Sequence, residues 1–486
     1  MTPSPPDVSW ESPVPGGYSR SYRFGEWIAD PVTPLFETWL LSAMEERLHE
    51  ILREELGQVA PRPYHVVVNG WYFYSMNWAS PRAMLRNLPR MLAKAVRSPR
   101  TIAGILPATV RHSVDALERQ WRLDLQPRYQ QAVVAAEAGL DERPVEEVPA
   151  LIDELAALAG EYFTSIAALS GAAYKLELNL AAFHRAHLRA SVGWSHLPLL
   201  SGFAPPDAPD RPAVVSLDWW FEPVPASARG RARRALDPAV AERRRTAEAA
   251  SLAALATSPR RRRQFQRLLA DAQRLISIRE EQTQELTLAW PVLRRAVLIV
   301  GGALVERGQL TTSDDIFFLT REATLEALAG RPIEVDVAAR RATLAACARL
   351  SPPLVVGKLP PFAARMQASF TTLAGARPSA RALVTGTPAS AGRATGQVRV
   401  VRSAEEFDAL QPGEILVAPL TAPAWTPLFI RAAGVVTDVG GVAAHASVIA
   451  REFGIPAIVG TGDATRRLHT GMRVTIDGGT GTVEAA

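Results

Sequence analysis

The sequence predicts a multidomain chain, with a mainly α-helical first part followed by a small α/β unit. Three observations carry this. Between residues 80 and 350 an alanine-, leucine- and arginine-rich stretch holds apolar residues at helical spacing nearly throughout. Near 351 the composition turns to glycine, proline, alanine and serine, in "SPPLVVGKLPP" and "TLAGARPSARALVTGTPASAGRATG". Beyond that, short apolar runs alternate with short amphipathic ones, the pattern of a β/α layer. The 486 residues are enough for two or three cores. The expected division is a helical part over 1–372, a flexible connector over 373–385 and the α/β unit over 386–486.

Taken in order, "YSRSYRFGEWIADPVTPLFETWLL" reads as an extended entry and an amphipathic helix, with Pro31 and Pro34 ahead of it, where a missing amide donor costs little. "PYHVVVNGWYFYSMNW" (63–78) alternates β-branched and aromatic residues and predicts one or two short strands, a small β element in the helical part. In the last hundred residues "TGQVRVV", "EILVAP", "AGVVTDV", "PAIVG", "MRVTID" and "GTVEA" read as strands. "SAEEFDAL", "AWTPLFIRA", "AHASVIAREF" and "DATRRL" read as the helices between them.

Composition narrows the classes. Hydrophobic residues make up 48% and charged residues 21%, as in globular proteins. The start has no basic and apolar leader pattern, and "AVLIVGGALV" (296–305) is shorter than the roughly 20 residues of a membrane span, so a cytoplasmic protein without membrane contact is expected. The single cysteine, Cys347, excludes an internal disulfide and a cysteine metal cluster, and reads as a small buried hydrophobe. The pI of 9.6 has a local source. Residues 229–267 hold twelve of the 54 lysines and arginines against three acids, and aromatic residues are not interleaved among them, so nucleic acid is not the expected partner.

The chemistry concentrates in "DVGGVAAHASVIAREFGIPAIVG" (438–460). Imidazole has an ordinary pKa of about 6.5, so at neutral pH His445 is a nucleophile able to take a phosphoryl group onto a ring nitrogen and release it. Gly440 and Gly441 allow a bulky donor to come close. A helix beginning at or just before His445 aims free amides and a positive dipole end at an anion, and Ser447 is placed to cap it or to donate to phosphate. The helix ends at Gly454, and Pro456 enforces extended chain.

Together with "GTPASAGRATGQVRVV" and "GEILVAPLTAPAWTPLF", this segment resembles the swivelling β/β/α phosphohistidine domain of the phosphoenolpyruvate-utilising dikinase family. The resemblance implies that His445 carries phosphate, with Gly440, Gly441, Arg451 and Glu452 as framework. Where several dikinases have a threonine two positions before the histidine, this chain has Ala443. Upstream, "RRAVLIVGGALVERGQLTTSDDIFFLTREATLEAL", "DPVTPLFETWL" and "NGWYFYSMNW" resemble the substrate-binding middle domain of the rifampicin phosphotransferase type. There an Arg-Glu-x-x-Lys run faces the transferred phosphate. Here it reads "REEQT", with Arg279 and Glu280 matching and Thr283 in place of the lysine, so Arg279 is either the remaining phosphate contact or an ordinary surface arginine.

No segment resembling an ATP-grasp domain precedes the helical part, and no "GxxxxGK[ST]" occurs. The resemblance therefore implies, as in split phenylphosphate-synthase systems, a separate ATP-grasp-type nucleotide-binding partner that holds ATP and Mg2+, with no cofactor bound directly by this chain. ATP would go to AMP and phosphate, and the β-phosphoryl would rest on His445 before reaching a small organic acceptor. The alternative is a catalytically inactive descendant that binds a ligand or partner.

His184 and His187 stand three apart on one helix. Without a third ligand nearby, no metal is assigned, and a pocket or surface face is the reading taken, in which either histidine, like Glu280, could act as acid or base. The cluster Trp71, Tyr72, Phe73, Tyr74 and Trp78 suggests an aromatic or apolar acceptor, with core packing as the other reading. The arginine-rich segment reads as a solvated face or a docking surface for the nucleotide-binding partner, and His469 as surface.

Overall fold

A computed structural model describes residues 8–486 except 21–27, 29, 57–61, 78–79, 98–114, 117, 194, 202–215, 223–237, 351, 362, 365–380, 403, 422–424 and 442–443. Of some helical residues, Glu280 among them, only the backbone is described. Trp78, Ala443, positions 229–237 of the arginine-rich segment and 373–380 of the expected connector lie outside the described residues.

The first part is helical. After an opening turn at Phe36–Leu41 come α1 (Ser42–Leu56), α2 (Pro81–Arg97), α3 (Gln126–Gly139) and α4 (Val148–His187). There follow α5 (Pro238–Ala254), α6 (Pro259–Leu286), α7 (Trp290–Glu306), α8 (Arg321–Leu328) and α9 (Val337–Cys347). With 40 residues, α4 is about 60 Å long and packs along both α1 and α6. Its apolar stripe enters the main core with Trp39, Trp121, Trp290 and Phe317. The run Pro259–Glu306 is, by length and composition, long and apolar enough to cross a bilayer, and 56% of its apolar window is buried inside the molecule. Leu293, Val297, Val300 and Leu304 of that run belong to the main core.

The β element at 63–78 is a hairpin of β2 (His65–Val68) and β3 (Trp71–Ser75), turned by Asn69 and Gly70 at φ 49° and 77°. Two strands that read as loop in the sequence extend it, β1 (Gly17–Ser19) and β4 (Val355–Gly357), in the antiparallel order β2-β3-β1-β4. Trp71, Tyr72 and Phe73 are buried there, the Trp71 indole donates to the Cys347 carbonyl at 3.0 Å, and burial pushes the Cys347 thiol pKa up. Trp71 and Phe73 thus pack in the interior of the small sheet, and Tyr72 in the main helical core.

The last hundred residues form an eight-stranded sheet, ordered β5-β12-β11-β7-β8-β9-β10-β6. Its strands are β5 (Ala382–Thr385), β6 (Thr387–Ser390), β7 (Arg393–Val400), β8 (Ile415–Ala418), β9 (Gly434–Thr437), β10 (Ala457–Val459), β11 (Arg473–Asp477) and β12 (Thr482–Ala485). Strands β7 to β10 run parallel. Their side chains alternate between two apolar layers. Leu416, Val435 and Val459 pack under α10 (Thr426–Arg431) and α11 (His445–Phe453), while Val417, Val436 and Ile458 join Ala464 of α12 (Ala464–Arg467) on the other face. Burial on both faces is why these strands read as unbroken apolar runs. One expectation is corrected: residues 382–385, assigned to the connector, are strand β5, paired with β12. Edge strand β6 accommodates Pro388, whose missing amide would break an interior strand.

Candidate active site

Strand β9 ends at Thr437, and the chain turns through the glycine pair into α11, whose first residue is His445. Gly440 has φ 138°, and a β-carbon there would press on Ala444 and Val459 at 3.3 Å, so only glycine suits this approach. Asp438 ties the turn to α12 by accepting from the Thr465 amide at 3.0 Å and from the Thr465 hydroxyl. The Ser447 hydroxyl donates to the Gly441 carbonyl at 2.6 Å and so braces the same turn. No side chain caps α11, which leaves the amides and positive dipole end of its first turn directed at the space before His445.

The His445 ring is buried edge-on against Phe429, with centroids 6.1 Å apart, and among the described residues neither ring nitrogen has a hydrogen-bond partner. Burial, then the positive charge of Arg279, lowers its pKa to about 3. The imidazole is therefore neutral at ordinary pH and keeps a lone pair available.

Arg279 is buried on α6, on the helical side of a junction into which α11 packs. Val448, one turn after His445, enters an apolar cluster with Leu180, Phe183, Leu199 and Phe265 of the helical part. One turn further, Arg451 donates to the Ala389 carbonyl at 2.7 Å and to Glu177 of α4 at 3.2 Å, a pair in which both side chains are buried. His196 Nε2 lies 3.6 Å from the same Glu177 oxygen. Burial alone would raise the Glu177 pKa, but Arg451, His196 and Arg279 together bring it below its ordinary value. His184, two turns beyond Glu177 on α4, is buried, and burial followed by His196 and Arg189 lowers its pKa to about 4.

The structure thus brings together His445, Arg279, Arg451 and the glycine pair, with His184 in the cluster around His196. His187 is not among them: it is exposed, its ring against Phe183. Three residues of helix turn by about 60° from a shared line, and the buried sector of α4 ends between the two histidines. Thr283 donates its hydroxyl to the Arg279 carbonyl at 2.8 Å, so it is turned onto its own helix where the second cation would stand. His469 is exposed. Arg243 of the arginine-rich segment lies against Gly454, at the end of α11, and Arg260 to Arg263 and Arg267 are exposed on α6. Sequence reasoning missed Glu177 and His196. The signal available was a glutamate at seven-residue spacing from His184, inside the apolar run "AAYKLELNLAAFH".

A neutral imidazole at a helix N-terminus, with one buried guanidinium close by, can accept a phosphoryl group and hold its charge. A family model described as the mobile domain of PEP-utilising enzymes matches residues 410–481. The chain is 32% identical over 272 residues to a rifampicin phosphotransferase of Streptomyces sviceus, covering 54% of this chain and 29% of that one. It is 50% identical over 109 residues to a phosphoenolpyruvate synthase of Aeropyrum pernix, covering 22% and 13%. A chondramide synthase of Chondromyces crocatus shares 36% over 210 residues, covering 39% and 5%. The chain spans less than a third of the length of each of these relatives. Residues 410–481 thus match the mobile domain of PEP-utilising enzymes.

Proposed function

We propose that this chain is a phosphotransferase component in which His445 carries a phosphoryl group from an ATP-binding partner to a small organic acceptor on the helical part. The supporting observation is the state of His445, a buried neutral imidazole with no hydrogen-bond partner on either nitrogen among the described residues, at an uncapped helix start and near Arg279. In the first half-reaction a ring nitrogen attacks the β-phosphorus of ATP. A nitrogen–phosphorus bond forms as the bond from that phosphorus to the AMP oxygen breaks and AMP leaves; water then cleaves the bond between the β- and γ-phosphates, releasing phosphate and leaving the β-phosphoryl on the ring. In the second, an acceptor hydroxyl attacks that phosphorus, the nitrogen–phosphorus bond breaks and the hydroxyl proton passes to a base. Arg279 and the α11 amides stabilise the charge on the transferring group. ATP and Mg2+ belong to the partner, an ATP-grasp-type protein in this reading. Arg451 works as an anchor, and His184 is the candidate acid or base on the helical side.

The test is mass spectrometry of the protein from its native cell, at alkaline pH throughout because phosphohistidine is lost in acid. A phosphoryl group on His445 is expected. A chain that stays unmodified, also after incubation with ATP and native extract, would overturn this reading in favour of a ligand-binding descendant.

A further inference from the structure

The contact between Glu177 and Arg451 joins residues 274 apart, one on each side of the junction. A carboxylate on the apolar face of a long helix is costly to bury unless a cation meets it. Here the cation comes from the carrier helix. Its guanidinium is also held within its own α/β unit, because Arg451 Nε donates to the Ala389 carbonyl of β6 in the same eight-stranded sheet. His445, Val448 and Arg451 follow at three-residue intervals, so they fall on neighbouring sides of α11, and Arg451 stands about 9 Å along the axis from His445. Arg279 acts at the His445 end and Glu177 at the Arg451 end, with the apolar contact of Val448 between them. The Glu177–Arg451 ion pair and the apolar contact of Val448, at separated points along α11, together define both the depth and the rotation of a docked helix, which the apolar contact alone would not.

We propose that Glu177 is a positioning residue: it receives Arg451 when the carrier helix docks, and thereby sets His445 against Arg279 for transfer to the acceptor. The inference rests on the phosphocarrier reading. When the helix leaves, both partners gain water, so the pair contributes little net affinity while it is intact. Neutralising Glu177 takes from the buried Arg451 its carboxylate across the junction, and this penalty falls on the docked state alone. Glu177 therefore selects one docked geometry without holding the carrier permanently.

The test reads how accessible His445 is in the full chain. Diethyl pyrocarbonate modifies accessible imidazoles, and the exposed His187 and His469 serve as references within the same molecule. In the wild type, modification of His445 is expected to be at least tenfold slower than that of the references. Glu177→Gln is expected to speed it by more than about tenfold, with reference rates and circular dichroism unchanged. A His445 as protected in Glu177→Gln as in the wild type would overturn the proposal. Should that variant lose its fold, Glu177→Asp decides, since it keeps the charge and shortens the reach: faster modification supports the proposal, and a rate within twofold of the wild type overturns it. Alkaline mass spectrometry of the wild type separates the two levels. Absent phosphohistidine there removes the carrier reading, whereas phosphohistidine together with an unchanged Glu177→Gln rate removes only the positioning role.

Discussion

His65, in the small sheet, and His445, at the start of α11, are both largely buried, yet one ring is a cation at neutral pH and the other is uncharged. Burial by itself lowers the pKa of any histidine. At His65 it is outweighed by Glu37 at 3.5 Å and Glu45 at 2.7 Å, which push the ring up to about 9, and Tyr72 donates to the other Glu45 oxygen at 2.7 Å. At His445 the neighbouring charge is Arg279, which acts in the same direction as burial, and the ring falls to about 3. Two carboxylates outweigh burial at His65 and make it a cation, whereas at His445 burial, aided by Arg279, leaves the ring neutral.

Exchanging the two rings for inert residues should separate these roles most sharply. His445→Ala is expected to abolish phosphoryl transfer in an assay with native extract and ATP. His65→Gln should leave transfer in place and lower stability by about 2 kcal/mol in urea unfolding, because two carboxylates lose a charged partner. Next in size is Arg279→Gln. Loss of one cation facing the transferred group should slow transfer about 100-fold, and an NMR titration should show the His445 pKa rising toward its ordinary value. A ring that still titrates near 3 would leave burial as the only cause.

The pH dependence should differ in sign between the two regions. The fold keeps a proton on His65 that the unfolded chain releases above about 6.5, so that contribution is complete below 6.5 and is lost as pH rises through about 9. The fold refuses His445 a proton that the unfolded chain takes up, so its contribution is complete above 6.5 and fades as pH falls toward 3. Thermal unfolding across this range should slope by up to about 1.4 kcal/mol per pH unit on each limb. His65→Gln should flatten the alkaline limb and His445→Ala the acid limb. The smallest effect is expected from Glu37→Gln: its contact is the longer one and the carboxylate is partly exposed, so stability should drop by less than about 1 kcal/mol.

What could be read in the sequence follows from how local its cause is. The glycine pair, the histidine and the stop at Gly454 lie within one turn-helix-turn segment, and the parallel strands announce themselves because both of their faces are buried. The hairpin was legible too, since Asn-Gly between two apolar runs favours the positive φ angles found there. Strands β1 and β4 were not. Each has three residues, and the sheet joins Ser19 to Val355 through a pairing that no local pattern encodes. β5 and β6 were hidden by alanine, proline and threonine, tolerated because these strands stand at the two outer positions of the sheet. Glu177 escaped for a related reason: its partner lies on the other side of a junction, and a lone acid in an apolar helix looks like any solvated glutamate until that partner is placed.

The lone thiol of Cys347, set behind the Trp71 indole, makes the molecule convenient for optical distance measurement. Burial raises its pKa and shields it, so maleimide dyes should pass it by, and a pair of cysteines introduced on the exposed faces of α6 and α12 would be labelled against a silent background. Single-molecule energy transfer between them would then show whether α11 leaves the helical part and returns to it.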